Sequence, residues 1–262
     1  MSRMIRVELL KIRTARLVYG LLATAIGLTL LFSVLEAARS GPGKAVPPLN
    51  TGAGVTAILT GGTWALLLAT VMGATVSSGE FRHSTATLTY LANPHRSQVL
   101  TAKAVAAAIV GAVFGLAGFV LPAIVAVAFA SGHGYTLQVT AATLARYGAG
   151  HVLGGALLAT IGVGLGSLIR SQLAVVIGVF VWTIVIESLI GALFNSVQPW
   201  LPYTAATTLA GSQLGGAAFG PAHGVASTVT SLPFAGSTAL LAGLAVVIAL
   251  LASQTTVTRD IS

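Results

Sequence analysis

One carboxylate stands inside a long uncharged run of this sequence, and an acid in that place has few possible roles. Glu187 lies within the apolar stretch 173–194, roughly 10 Å from its far end at 1.5 Å per helical residue. Ionisable groups at such depth in an apolar bundle are costly. They face the interior, where they pair, relay protons or line a path for a substrate. His151 and Arg146, near the start of the stretch 147–169, reach a similar depth, so a Glu187–His151 or a Glu187–Arg146 pair is expected. Such a pair is either a structural polar contact or part of a substrate or proton path, and residue types alone leave both open.

Other chemistry lacks its residues. Gly43-Lys44 stands without the rest of a GxxxxGK[ST] phosphate loop, so the chain is not expected to bind ATP in the usual way. His83 and His95 have no metal-ligand spacing, and there is no HExxH. An intramembrane serine protease would want GxSG and a later His within a span. GxSG is missing, and the last histidine, His223, lies outside the apolar runs. Haem ligation needs paired histidines within helices, and only His151 qualifies. The absence of cysteine excludes disulfides, thiolate metal sites, Fe–S ligation and a Cys nucleophile. A non-catalytic chain is expected, with no cofactor or metal residues of its own.

The elements that hold these residues follow from composition. Of 262 residues, 55% are hydrophobic and only 7% charged, where a soluble domain has about 25%. With a mean hydropathy of +0.94, the solvent for so much apolar surface is lipid. The reading is an all-α integral membrane protein forming one domain over 1–262. Spans are expected at about 17–35, 55–76, 104–130, 147–169, 173–194 and 234–252.

The formal charge is +8, from 13 Lys and Arg against 5 Asp and Glu. The cations are scattered between apolar runs rather than gathered on a face with stacking aromatics, so nucleic acid is not an expected partner. With the N-terminus inside, one side holds Arg3, Arg6, Lys11, Arg13, Arg16, Arg82, Arg96, Lys103, Arg170 and Arg259. The other holds only Arg39, Lys44 and Arg146. That bias places both termini in the cytoplasm. The first run is longer than a signal-peptide core, and Glu36 to Arg39 offer no small-x-small cleavage site, so it is read as a retained span. Gly111/Gly115, Gly150/Gly154 and Gly162/Gly166 have the GxxxG spacing that permits close helix approach. Pro122 is expected to kink the third span.

Three segments outside the spans are distinctive. In the first, Ile5, Leu9 and Ile12 form one apolar stripe, with Arg3, Arg6, Lys11 and Arg13 on the other faces. This reads as an amphipathic helix at the inner interface, or as a plain basic flank. In the second, Phe81, Thr85, Leu88 and Leu91 share helical spacing before Asn93-Pro94 breaks the pattern. A short cytoplasmic helix is expected there, beginning at Glu80, Arg82 and His83, followed by a turn with His95 and Arg96. It is either a docking element or an interfacial helix with no partner. In the third, the connection 195–233 carries no charged residue, and re-entrant short helices on the outer face fit it best. Trp200 and Tyr203 are expected in the aromatic belt.

Taken in order, these features resemble the membrane subunit of type-2 ABC exporters, the permease family that includes bacterial drug, bacteriocin and antibiotic exporters. The carriers of the resemblance are Glu8 and Lys11 before the first span, then Ser78-Gly79-Glu80, Arg82, Thr85, Leu88, Pro94, Arg96 and Lys103. Trp200, Pro202 and Tyr203 before the last span complete the set. The resemblance implies a coupling helix at about 79–91, in which Glu80, Phe81, Arg82, His83, Thr85 and Leu88, with Arg96 after it, dock on a separate ATPase. It implies a connecting helix carrying Glu8, Lys11 and Arg13. It further implies two ATPase subunits that bind ATP and Mg, a second permease that is identical or related, and a place in the bacterial cytoplasmic membrane. The cargo would be a hydrophobic or amphipathic drug, peptide or lipid, as in multidrug resistance. The alternatives are a secondary transporter and an accessory membrane anchor. Against the former, only Glu187 is deeply placed and no repeat between the halves is evident.

Overall fold

Long apolar runs in this sequence become helices because a helix satisfies its own backbone hydrogen bonds where no water is at hand. The computed structural model describes residues 1–82, 96–169, 171–212 and 231–258, with the side chains of residues 2, 80–82, 96–97 and 255–258 outside that description. Among the described residues it is all helical. The sole extended pairing is a single bridge between Ser40 and Val46.

The elements in chain order are α1 (Ser2–Thr14), α2 (Arg16–Arg39), α3 (Gly52–Leu59), a 3-10 turn (Thr60–Gly62) and α4 (Thr63–Arg82). Next come α5 (Arg96–Gly132), α6 (Ala141–Leu168), α7 (Gln172–Phe180), a π-helical turn (Val181–Ile186) and α8 (Glu187–Leu193). A second 3-10 turn (Gln198–Trp200), α9 (Pro202–Leu209) and α10 (Phe234–Thr258) complete the set. Six of the resulting helices are long and apolar enough to cross a membrane: Arg16–Arg39, Gly52–Gly79, Gln98–Gly132, Ala141–Leu168, Gln172–Leu193 and Phe234–Gln254. They coincide with the expected spans and run past several of their ends. The chain is a multi-pass membrane protein. Pro122 does not end its helix, which continues from Arg96 to Gly132.

The second span is the centre of the bundle. Of its most apolar stretch 83% is buried, against 17% in the sixth span and 22% in the first and fifth. It is wrapped by α2, α5, α6 and α7. Phe32 stacks on Trp64 with ring centroids 4.8 Å apart, and Ser77 and Ser167 share a hydrogen bond of 2.7 Å between spans two and four. Caps set several helix starts: Thr51 accepts from the Gly54 N–H, Thr140 from Thr143 and Ser171 from Ala174.

The glycine motifs are spent inside the subunit. A Cβ at Gly111 would lie 2.4 Å from the Gly155 carbonyl oxygen, and a Cβ at Gly155 would lie 2.3 Å from that of Gly111. The backbones of α5 and α6 therefore touch, antiparallel. Gly162 and Gly166 meet the Thr70 and Ala74 carbonyls of α4 in the same way, and Gly150 meets that of Leu209. Small residues let neighbouring helices approach where lipid supplies no hydrophobic drive for association.

Candidate functional site: the polar cluster around Glu187

Glu187 is 1% exposed, and its carboxylate is the hub of a compact hydrogen-bond cluster. Oε1 accepts from Trp182 Nε1 and from the Tyr203 backbone N–H, both at 3.0 Å. Oε2 accepts from the Thr204 backbone N–H at 3.0 Å and from Thr204 Oγ1 at 3.2 Å. A carboxylate offers about four acceptor positions, and here each is taken by a donor.

The local sequence explains why the site forms. Helix α9 starts at Pro202 after Leu201, a residue with no side-chain acceptor, so its first N–H groups have no local cap. Pro202 at the first position has no N–H to satisfy. Tyr203 and Thr204, the next two, point theirs at Glu187, which supplies from a neighbouring span the cap that Leu201 cannot. The helix dipole favours an anionic group at that end. The π turn supplies the other side of the cluster. The Glu187 N–H bonds to the Trp182 carbonyl, five residues back, the hydrogen-bond spacing of a π turn, which leaves the two residues on one side of the helix. The indole of Trp182 thus reaches Glu187 Oε1.

The chain folds back to make this contact possible. After Leu193 it turns and returns beside α8, with Gln198 against Gly191 and Tyr203 beside Glu187. Glu187 sits six residues before Leu193, so the return runs back alongside α8 by about 9 Å at 1.5 Å per residue. Helix α9 is covered by α6 and α10, and Tyr203, Thr204, Ala205, Ala206, Thr207 and Leu209 are buried. Irregular backbone at that depth is tolerated because protein covers it.

Tyr203 ties the cluster to the central span. Its hydroxyl donates to the Thr63 carbonyl at 2.8 Å, and the residue is 3% exposed. It is therefore an internal brace and not a member of an interfacial belt. Trp200 is 60% exposed. Tyr203→Phe is expected to lower stability by about 1–2 kcal/mol through loss of this bond. The Glu187 contacts, which use the Tyr203 backbone, stay intact. A thermal midpoint in detergent equal to that of the unaltered protein would show that the hydroxyl bond contributes nothing.

The expected partners of Glu187 are elsewhere. His151 is fully buried, where α6 meets Gly62 and Gly118. Its Nδ1 lies 3.0 Å from the Tyr147 carbonyl. A carbonyl only accepts, so Nδ1 carries a hydrogen, and Nε2 has no hydrogen-bond partner among the described residues. Arg146 stands over the Phe234 ring at 5.8 Å. Neither residue contacts Glu187, because the uncapped start of α9 lies nearer and supplies better-aimed donors.

At the other end of the bundle, Lys11 Nζ donates to Glu8 Oε1 at 2.6 Å. Glu8 is 4% exposed, and its Oε2 is buried without a partner among the described residues. Arg13 is exposed. Lys103, also 4% exposed, lies in the first part of α5. Glu80, Phe81 and Arg82 end α4 and Arg96 opens α5, with their side chains outside the described residues. His83, Thr85, Leu88 and the rest of the expected surface helix lie outside them, while its expected first residues, up to Arg82, continue α4. No protein-family model and no curated protein matches the chain. Among the described residues no group of His, Asp and Glu is placed to hold a metal ion.

The cluster was partly legible beforehand. A lone acid in an apolar span needs donors, and Leu201-Pro202 begins a helix that lacks a cap. Matching those two needs points to the pair, although no spacing rule links residues so far apart.

Proposed function

We propose that this chain is the transmembrane subunit of an ATP-driven exporter of the type-2 ABC class, driven by a separate ATPase. The observation that carries this reading is the arrangement at the α1 end of the bundle. There α1 packs against α5, beside the point where the connection 83–95 joins the second and third spans. A subunit without a phosphate loop that is moved by a soluble motor needs such an element next to its bundle. In this reading the α1 end faces the cytoplasm, in keeping with its Lys and Arg. Two permeases and two ATPases make the working unit in the bacterial cytoplasmic membrane, and nucleotide-driven ATPase closure rocks the bundle between states. The cargo is a hydrophobic or amphipathic compound.

The Glu187 geometry favours this over a secondary transporter. A coupling site needs an ionisable group free to bind an ion or proton in turn, and the acceptor positions of Glu187 are filled by its own chain.

The test has three arms. Chains that co-purify with this one should include an ATPase with a phosphate loop. In the reconstituted complex, Glu80→Ala and Arg82→Glu should leave insertion intact while separating ATP hydrolysis from transport. Unchanged ATPase binding with normal export in both variants removes the segment at about 79–91 from the mechanism. A single cysteine at Arg82, unique in this cysteine-free chain, should react only from the inside; labelling from outside ends the proposal.

A further inference from the structure

We infer that the exposed face of α1 binds the headgroups of anionic phospholipids. The apolar stripe that the sequence assigns to the membrane interface is used otherwise. Ile12 is 2% exposed and packs with Ala106, Ala107 and Leu9 in one core cluster. Ile5 and Leu9 are half-buried on the same side, so that stripe is spent on α5 rather than on lipid.

The opposite face has a different chemistry. Arg3, Arg6 and Arg13 are exposed there, interleaved with Val7 and Leu10, which are 50% and 61% exposed. Arg16, at the next helix start, is exposed as well. None of these arginine side chains has an ion pair or hydrogen bond among the described residues. The only acid on the helix, Glu8, is turned inward and bonded to Lys11. No negative group of α1 balances the outward cations.

Position selects lipid over a soluble partner. A single residue, Ala15, separates α1 from the first span, and its backbone is extended at φ −75° and ψ 111°. Across so short a joint, and packed along α5 by its apolar stripe, α1 is held against the bundle beside the start of the first span. Leu17 and Tyr19, 48% and 56% exposed, carry the apolar surface on into the span. A guanidinium presents a planar fork that fits a phosphate. Arginines snorkel toward headgroups while Val7 and Leu10 rest at the acyl boundary. Each such cation near an anionic surface adds attraction that salt screens. The inference stands whether or not the chain pairs with an ATPase.

The full-length protein tests it. Leu10→Cys, labelled with an environment-sensitive fluorophore, is reconstituted in vesicles of phosphatidylcholine alone or mixed with phosphatidylglycerol. A larger blue shift is expected with phosphatidylglycerol than with phosphatidylcholine alone, and the difference is removed by high salt. Mass spectrometry of co-purified lipid should show several-fold enrichment of phosphatidylglycerol, lost in the triple variant R3Q/R6Q/R13Q and kept in R3K/R6K/R13K. Equal enrichment in the Gln variant overturns the assignment. So does a probe that ignores lipid charge but shifts when a purified ATPase is added, since the face would then be a protein surface. Should the Gln variant fail to insert, the lipid and salt dependence of the labelled protein with its arginines intact decides alone.

Discussion

Glu187→Ala is expected to destabilise the protein by on the order of 3–5 kcal/mol, because one truncation strands several buried donors at once. The Tyr203 and Thr204 N–H groups, the Thr204 hydroxyl and the Trp182 indole all lose their acceptor. Thermal unfolding in detergent should shift downward by many degrees, with α9 becoming accessible first. Thr204→Cys, 3% exposed in the folded protein, should label slowly alone and at least tenfold faster beside Glu187→Ala. Glu187→Gln keeps the shape and one acceptor oxygen but aims an NH2 group at other donors, so it should fall between. An alanine variant as stable as the unaltered protein, with Thr204→Cys still protected, would mean that the cap contributes nothing to holding α9.

Gly155→Leu should prevent the protein from accumulating as a folded species. A Cβ there would sit 2.3 Å from the Gly111 carbonyl oxygen and about as close to the Gly115 backbone as contact allows, at 3.0 Å. Both obstacles are main chain, so no rotamer change relieves them. Overpacking against movable side chains costs about 1–3 kcal/mol, and separating two helix backbones along their contact costs more. Gly162→Leu, facing the Thr70 carbonyl at 2.2 Å, should behave alike. Gly178→Leu is the control. Nothing lies within 4 Å of its Cβ position, so monodisperse protein in normal yield is expected by size-exclusion chromatography. Equal yields from Gly155→Leu and Gly178→Leu would contradict the packing described between α5 and α6.

The two ends of the bundle differ in how much the sequence announced. Span number and approximate limits were legible because each span is a local apolar run, and lipid imposes the same demand on every one of them. The α1 helix was legible too, from a stripe at i, i+4 and i+7. Its neighbour was not: periodicity reveals an apolar face without saying whether lipid or protein covers it, and here α5 does. The glycine spacings pointed to close packing. That the partners lie within the same subunit depends on which helices meet.

Glu187 marks the boundary most sharply. Composition and position alone dictate that an acid in an apolar span must find donors, because the cost of burying it unpaired is large. His151 and Arg146, the nearest polar residues by depth, are not its partners. The donors are backbone N–H groups at the start of α9, and a backbone group carries no residue-type signature to read. The π turn that lines up Trp182 is local, but the fold-back that brings Tyr203 beside Glu187 joins residues 16 apart, and the reach of Tyr203 to Thr63 joins residues 140 apart. Hydropathy is a local property and is therefore written in the sequence. Which uncapped helix end meets which buried charge is settled only when the helices pack.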